Sequence, residues 1–132
     1  MEVNYEVFFH GTVPVKGEEI TIGAVLVENG MVKDEIGGAV PYTGSELRAQ
    51  WEALIQGMEL AKRNNTKRVI FKGDSRTVVN LMNGGIPSRD FDSMDYYQMA
   101  RRKQLSFDQS FFQWVPMERN TRAIGIARSA SQ

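Results

Sequence analysis

Residues 69–84, VIFKGDSRTVVNLMNG, decide the fold. Val69, Ile70 and Phe71 are a short apolar run of strand length, within a strand expected over Lys67–Phe71. Gly73-Asp74-Ser75 follows at once, and Ser75 suits the cap of a helix over Arg76–Met82. Asn83-Gly84-Gly85 stops that helix, because Asn and Gly accept the left-handed backbone at a helix end. A strand that runs through a carboxylate into a helix is the first half of a crossover, and crossovers place successive strands parallel.

Outward on the N-terminal side, Ser45 can cap a helix reaching about Asn64. In its sequence RAQWEALIQGMELA, residues 48–61, Ala49, Ala53, Gly57 and Ala61 recur every four positions, a stripe of small side chains that lets a helix lie close to a sheet. Upstream, Val3, Tyr5, Val7 and Phe9 alternate with Asn4, Glu6, Phe8 and His10, the period of a strand. Residues Ile20–Glu28 form a second strand, apolar on both faces and so interior. Asn29-Gly30 marks a hairpin into a third strand, Met31–Val40, whose Lys33, Asp34 and Glu35 suit a solvated edge. On the C-terminal side a polar connector, Pro87–Asp95, leads to a helix over Tyr96–Leu105 with Arg101, Arg102 and Lys103 near its negative end. A strand over Phe111–Val115, a loop over Pro116–Arg119 and a helix over Thr121–Ser129 complete the chain.

The 132 residues fit one domain, expected over 1–132, with one core. The chain holds 16 basic and 16 acidic residues, so it lacks the cationic excess of a general polyanion binder. It has no cysteine, which excludes disulfides, thiolate metal sites and a cysteine nucleophile. No apolar run approaches the ~20 residues of a membrane span. The N-terminal MEVNYEVFFHG reads as a strand, not a signal peptide, so the default expectation is a cytoplasmic protein.

Four segments, taken in order, resemble the active-site segments of ribonuclease H: FFHGT around His10, RAQWEALIQGMELA around Gln50, VIFKGDSRTVVNLMNG around Asp74, and VPMERNTRAIGIA around Ile124. The resemblance covers nearly the whole chain and is closest to short bacterial ribonuclease HI-like proteins. It implies a mixed α/β fold: five strands in the order 3-2-1-4-5, the first three antiparallel, with helices on both faces. In that family each segment carries one acidic metal ligand. Here Asp74 alone matches, and His10, Gln50 and Ile124 stand at the other three positions.

Family chemistry uses two Mg²⁺ ions that activate water and stabilise the leaving oxygen. Mg²⁺ demands anionic oxygen ligands in near-octahedral geometry. Asp74 offers one charge, Gln50 a neutral carbonyl, His10 a nitrogen and Ile124 nothing. The expectation is an impaired or inactive catalytic centre with no resident metal, in which His10 and Asp74 join in a hydrogen bond. A first alternative is an active hybrid endoribonuclease with an altered, Mn²⁺-dependent site on Asp74, His10 and Glu46. Glu52 is ~200° round the helix from Gln50 and should face elsewhere. Asp90, Asp92 and Asp95 read as connector acids.

The resemblance further implies contacts to the RNA strand of a hybrid. Thr43, Gly44, Ser45, Arg119 and Asn120 stand where these are expected, and Ser, Thr and Asn suit 2′-hydroxyls. Each also has a plainer reading: Ser45 and Asn120 as helix caps, Arg119 as surface charge. The favoured role is binding or regulation linked to RNA or an RNA–DNA hybrid, at low affinity. A second alternative is a protein-interaction module presenting Phe111, Phe112, Trp114, Tyr96 and Tyr97, although helices on both sheet faces would cover the strand aromatics.

Overall fold

The computed structural model describes residues 4–14, 19–41, 43–85 and 91–130, of which Phe91 and Asp92 without side chains. Its strands are β1 (Tyr5–Thr12), β2 (Thr21–Glu28), β3 (Met31–Ala39), β4 (Arg68–Gly73) and β5 (Gln109–Trp114). Its helices are α1 (Glu46–Arg63), α2 (Arg76–Met82), α3 (Phe91–Gln104) and α4 (Thr121–Ser129), with a 3-10 turn at Met117–Arg119. One sheet has the order β3-β2-β1-β4-β5. β1, β2 and β3 pair antiparallel, and β4 and β5 run parallel to β1. The expected mixed architecture is the observed one. Asn29 and Gly30 turn the hairpin with φ of 50° and 82°, the left-handed region the pair was read to supply.

Two close approaches bring helices onto the two sheet faces. The stripe Ala49, Ala53, Gly57 and Ala61 is wholly buried against β1 and β2. Gly11 meets that helix directly: a Cβ there would lie 1.9 Å from the Ala49 carbonyl oxygen. On the opposite face α4 packs on β1, β2 and β3, and a Cβ at Gly23 would lie 2.3 Å from the Ala123 carbonyl oxygen. The core between sheet and α1 is filled by Val7, Phe9, Leu54, Met58, Phe71 and Phe112, among others. Ser45 caps α1, its Oγ accepting from the Arg48 amide at 3.1 Å. We expect Ser45→Ala to cost about 1 kcal/mol in urea unfolding.

The helix after the connector starts at Phe91, not at Tyr96, because its polar first turn is held by tertiary contacts. Trp51 Nε1 donates to Ser93 Oγ at 3.0 Å, and the Tyr96 ring stacks on Trp51 with centroids 6.3 Å apart. Residues 86–90 of the connector, Asp90 included, and the Asp92 side chain lie outside the described residues. Asp95 is exposed. Tyr96, expected to add surface, is buried instead; its hydroxyl donates to Glu52 and accepts from Arg48 Nε at 3.0 Å. Burial, then the Glu52 carboxylate, pushes its pKa up to about 12. Arg101 reaches across to α2, donating to the Met82 carbonyl at 2.7 Å, so it caps a helix other than its own.

β5 corrects a second expectation. Phe112 packs into the core, but its neighbour Phe111 points to the other face and is 56% exposed, because α4 packs on β1, β2 and β3.

Candidate functional site

The carboxyl ends of the parallel strands β1 and β4 lie side by side, and the turn after β4 sets Asp74 beside His10 on β1. The carboxyl ends of parallel strands are where open α/β sheets place their sites. His10 Nδ1 stands 2.8 Å from Asp74 Oδ2. An ionised carboxylate only accepts, so this ring nitrogen carries the proton. Gln50 projects from α1 with its orientation fixed at both ends. Its Oε1 accepts from the Gly11 amide at 3.3 Å, and its Nε2 donates to Asp74 Oδ1 at 3.0 Å.

Asn120 supplies the fourth member. It precedes α4 but makes no side-chain cap, so its reading as a helix cap is corrected. Its Nδ2 instead donates to Asp74 Oδ2 at 2.6 Å and to the Phe9 carbonyl at 2.9 Å. Behind the carboxylate, Trp114 Nε1 donates to the Asp74 backbone carbonyl at 3.1 Å, and the Arg76 guanidinium lies 3.8 Å over the indole.

The centre is thus one carboxylate ringed by donors. Burial alone raises the Asp74 pKa. Hydrogen bonds from His10 and Asn120, the charge of His10 and the Gln50 amide outweigh it, and the carboxyl titrates below its ordinary 3.8. His10, Gln50 and Asn120 are each less than a tenth exposed.

Ile124 sits one turn beyond Asn120, its amide donating to the Asn120 carbonyl at 3.0 Å, and is buried. It brings no oxygen. Glu46 Oε1 accepts from the Val13 amide at 3.2 Å, a bond to the end of β1. Among the described residues, no three His, Cys, Asp or Glu side chains are grouped so as to hold a metal ion. Thr43, Gly44, Ser45 and Arg119 are exposed, and Asn120 is 1% exposed with its amide committed inside the protein. Thr43 and Ser45 are both tied to Arg48, through the Thr43 carbonyl at 3.2 Å and the cap. The inward role of Asn120 left no local trace in the sequence. The Trp114 contact needed the β4–β5 register, which sets Trp114 opposite Gly73.

Sheet order, helix placement and this centre together define a ribonuclease H-like protein. The chain belongs to the family described as reverse transcriptase-like, whose model matches residues 8–130. It is similar to RNase H1 from the halophilic archaeon Halobacterium salinarum NRC-1, with 26% identity over 97% of each chain and a TM-score of 0.91. The N-terminal RNase H domain of a Mycobacterium tuberculosis protein shares 24% identity over 98% of this chain and 94% of that one, at a TM-score of 0.89. LC11-RNase H1, isolated from compost by a metagenomic approach and solved in complex with an RNA/DNA hybrid, shares 19% identity over 96% of each chain, at 0.86. These last two likenesses bear on the fold alone. No curated protein matches the chain. No helix among the described residues is long and apolar enough to cross a membrane.

Proposed function

We propose that this protein keeps the ribonuclease H scaffold for binding or regulation linked to RNA or an RNA–DNA hybrid, and does not cleave efficiently. The observation that carries this reading is that both oxygens of Asp74 already accept hydrogen bonds from protein donors. Oδ2 accepts from His10 and Asn120, and Oδ1 from Gln50. A divalent ion would compete with those donors for the same two oxygens and would face N–H groups of the same polarity as itself. The residues present therefore do not fit a Mg²⁺ pair. A Mn²⁺ ion on Asp74 and His10 would first have to break their shared hydrogen bond, and Glu46 is engaged by Val13. Membership of the reverse transcriptase-like family and the likeness to Halobacterium salinarum RNase H1 support a nucleic-acid partner.

Cleavage of a labelled RNA–DNA hybrid by excess protein tests the reading, with Mg²⁺ and with Mn²⁺. The expected result is no cleavage above buffer in either ion. Cleavage that disappears in Asp74→Asn would establish the protein as an active endoribonuclease. A thermal melt gives an independent check: millimolar Mg²⁺ should leave Tm where EDTA leaves it. Ligand-linked stabilisation would raise it if the centre took the ion.

A further inference from the structure

Trp114 is a platform whose own orientation is fixed. It ends β5, half-buried, opposite Gly73 in the β4–β5 register. Its Nε1 donates to the Asp74 backbone carbonyl at 3.1 Å, so the indole cannot turn without breaking that bond. Arg76 opens α2 and is exposed, and its guanidinium lies over the ring with Cζ 3.8 Å from the centroid. A planar cation at that distance is attracted by the negative face of the ring.

Other cations of the protein also lie over rings: Lys33 over Tyr5 and Lys72 over Phe8, each at 5.5 Å, and Arg101 over Tyr97 at 4.9 Å. Each of those has acceptors as well. Lys33 pairs with Glu28, Lys72 pairs with Glu6, and Arg101 donates to Gln104 and to the Met82 carbonyl. Arg76 lies nearer its ring than these three, and among the described residues it has no hydrogen-bond acceptor and no ion pair. Asp74, two residues away, accepts from His10, Gln50 and Asn120 instead. A ring therefore holds this guanidinium in place while its N–H groups stay unused.

Stacking occupies the face of a guanidinium and leaves the donors in its plane available. Those donors form a rigid fork that fits two oxygens of one phosphate. A mobile surface arginine gives up side-chain freedom when it binds, and one already held on a ring gives up less. The chain balances 16 basic against 16 acidic residues, so diffuse charge does not supply the attraction for a polyanion and individual placed contacts must.

We propose that Arg76, held flat on Trp114, grips a phosphodiester of the nucleic-acid strand that passes the Asp74 centre. The contact fixes the position of the backbone and carries no base preference. The proposal rests on the reading that this chain binds RNA or an RNA–DNA hybrid, and it assigns one contact of that complex.

Fluorescence anisotropy with a labelled RNA–DNA hybrid and a labelled single-stranded RNA, each over a series of KCl concentrations, tests it. Arg76→Ala removes an exposed side chain, and circular dichroism verifies its fold. Arg76→Lys keeps the charge but not the fork. Lys62→Ala removes the same unit charge from an exposed site on α1, about 18 Å along the helix from Gln50. For whichever nucleic acid binds, the expected result in Arg76→Ala is a Kd raised about five- to tenfold and a salt slope reduced by about one. Arg76→Lys should restore the slope but not the affinity, and Lys62→Ala should stay within about twofold of wild type. An Arg76→Ala protein that binds like wild type would overturn the proposal and leave the proposed function standing. Equal losses in Arg76→Ala and Lys62→Ala, or full recovery in Arg76→Lys, would also overturn it. If the wild type binds neither nucleic acid, both are refuted.

Discussion

Gly11→Ala is expected to destabilise the protein by about 3 kcal/mol, the upper range for overpacking, or to abolish folding. The added Cβ would lie 1.9 Å from the Ala49 carbonyl oxygen and 2.4 Å from its carbon. Both are backbone atoms of α1, so no side chain can turn aside; the helix must lift from β1. That movement opens the layer holding Phe9 and Leu54, both fully buried, and draws Gln50 away from the Gly11 amide. Gly125→Ala is the matched control. Its Cβ would meet nothing within 4 Å, and it lies within α4. There the same chemical change should stabilise by about 0.5–1 kcal/mol, because alanine suits a helix better than glycine. Urea midpoints of the two variants should move in opposite directions. A Gly11→Ala midpoint within error of wild type would refute the close packing of α1 on β1.

Asp74→Ala is expected to cost about 3 kcal/mol, because it strands three buried donor groups at once. His10, Gln50 and Asn120 all direct N–H groups at this carboxylate. Three N–H donors face this single anion, an arrangement that favours the ionised carboxylate in the folded state. The same physics fixes a pH dependence. The Asp74 pKa is lower in the folded state than the ordinary 3.8, so the unfolded chain takes up the proton first on acidification. The stabilisation is therefore complete above about pH 4 and is lost as pH falls through the folded value. Asp74→Asn, lacking the titrating group, should lose stability less steeply in that acid window. Equal acid slopes for wild type and Asp74→Asn would contradict the arrangement.

Much of the fold was legible because its signals are local. Asn29-Gly30 turns the hairpin by its own backbone tolerance, Ser45 and Ser75 cap the helices they precede, and the small-residue stripe of α1 faces the sheet as its spacing requires. The pairing of His10 with Asp74 followed from strand order, since β1 and β4 are neighbours. Asn120, Tyr96 and Phe111 were not legible in this way. Each sits at an element whose local pattern permits two orientations. Asn120 suited a helix cap, yet its amide turns to Asp74. Tyr96 suited an exposed aromatic surface, yet it is drawn onto Trp51. Phe111 and Phe112 alternate across β5, and only the extent of α4 decides which of them meets water.

The sequence by itself determined the order of strands and helices, the hairpin and the Ser45 and Ser75 caps, since these depend on periodicity, turn chemistry and residue identity. Only the tertiary structure decided that Asp74 is ringed by donors and that Phe111, rather than Phe112, meets water. Those outcomes depend on where distant segments meet, and hydrogen-bond direction and helix coverage are set by that meeting.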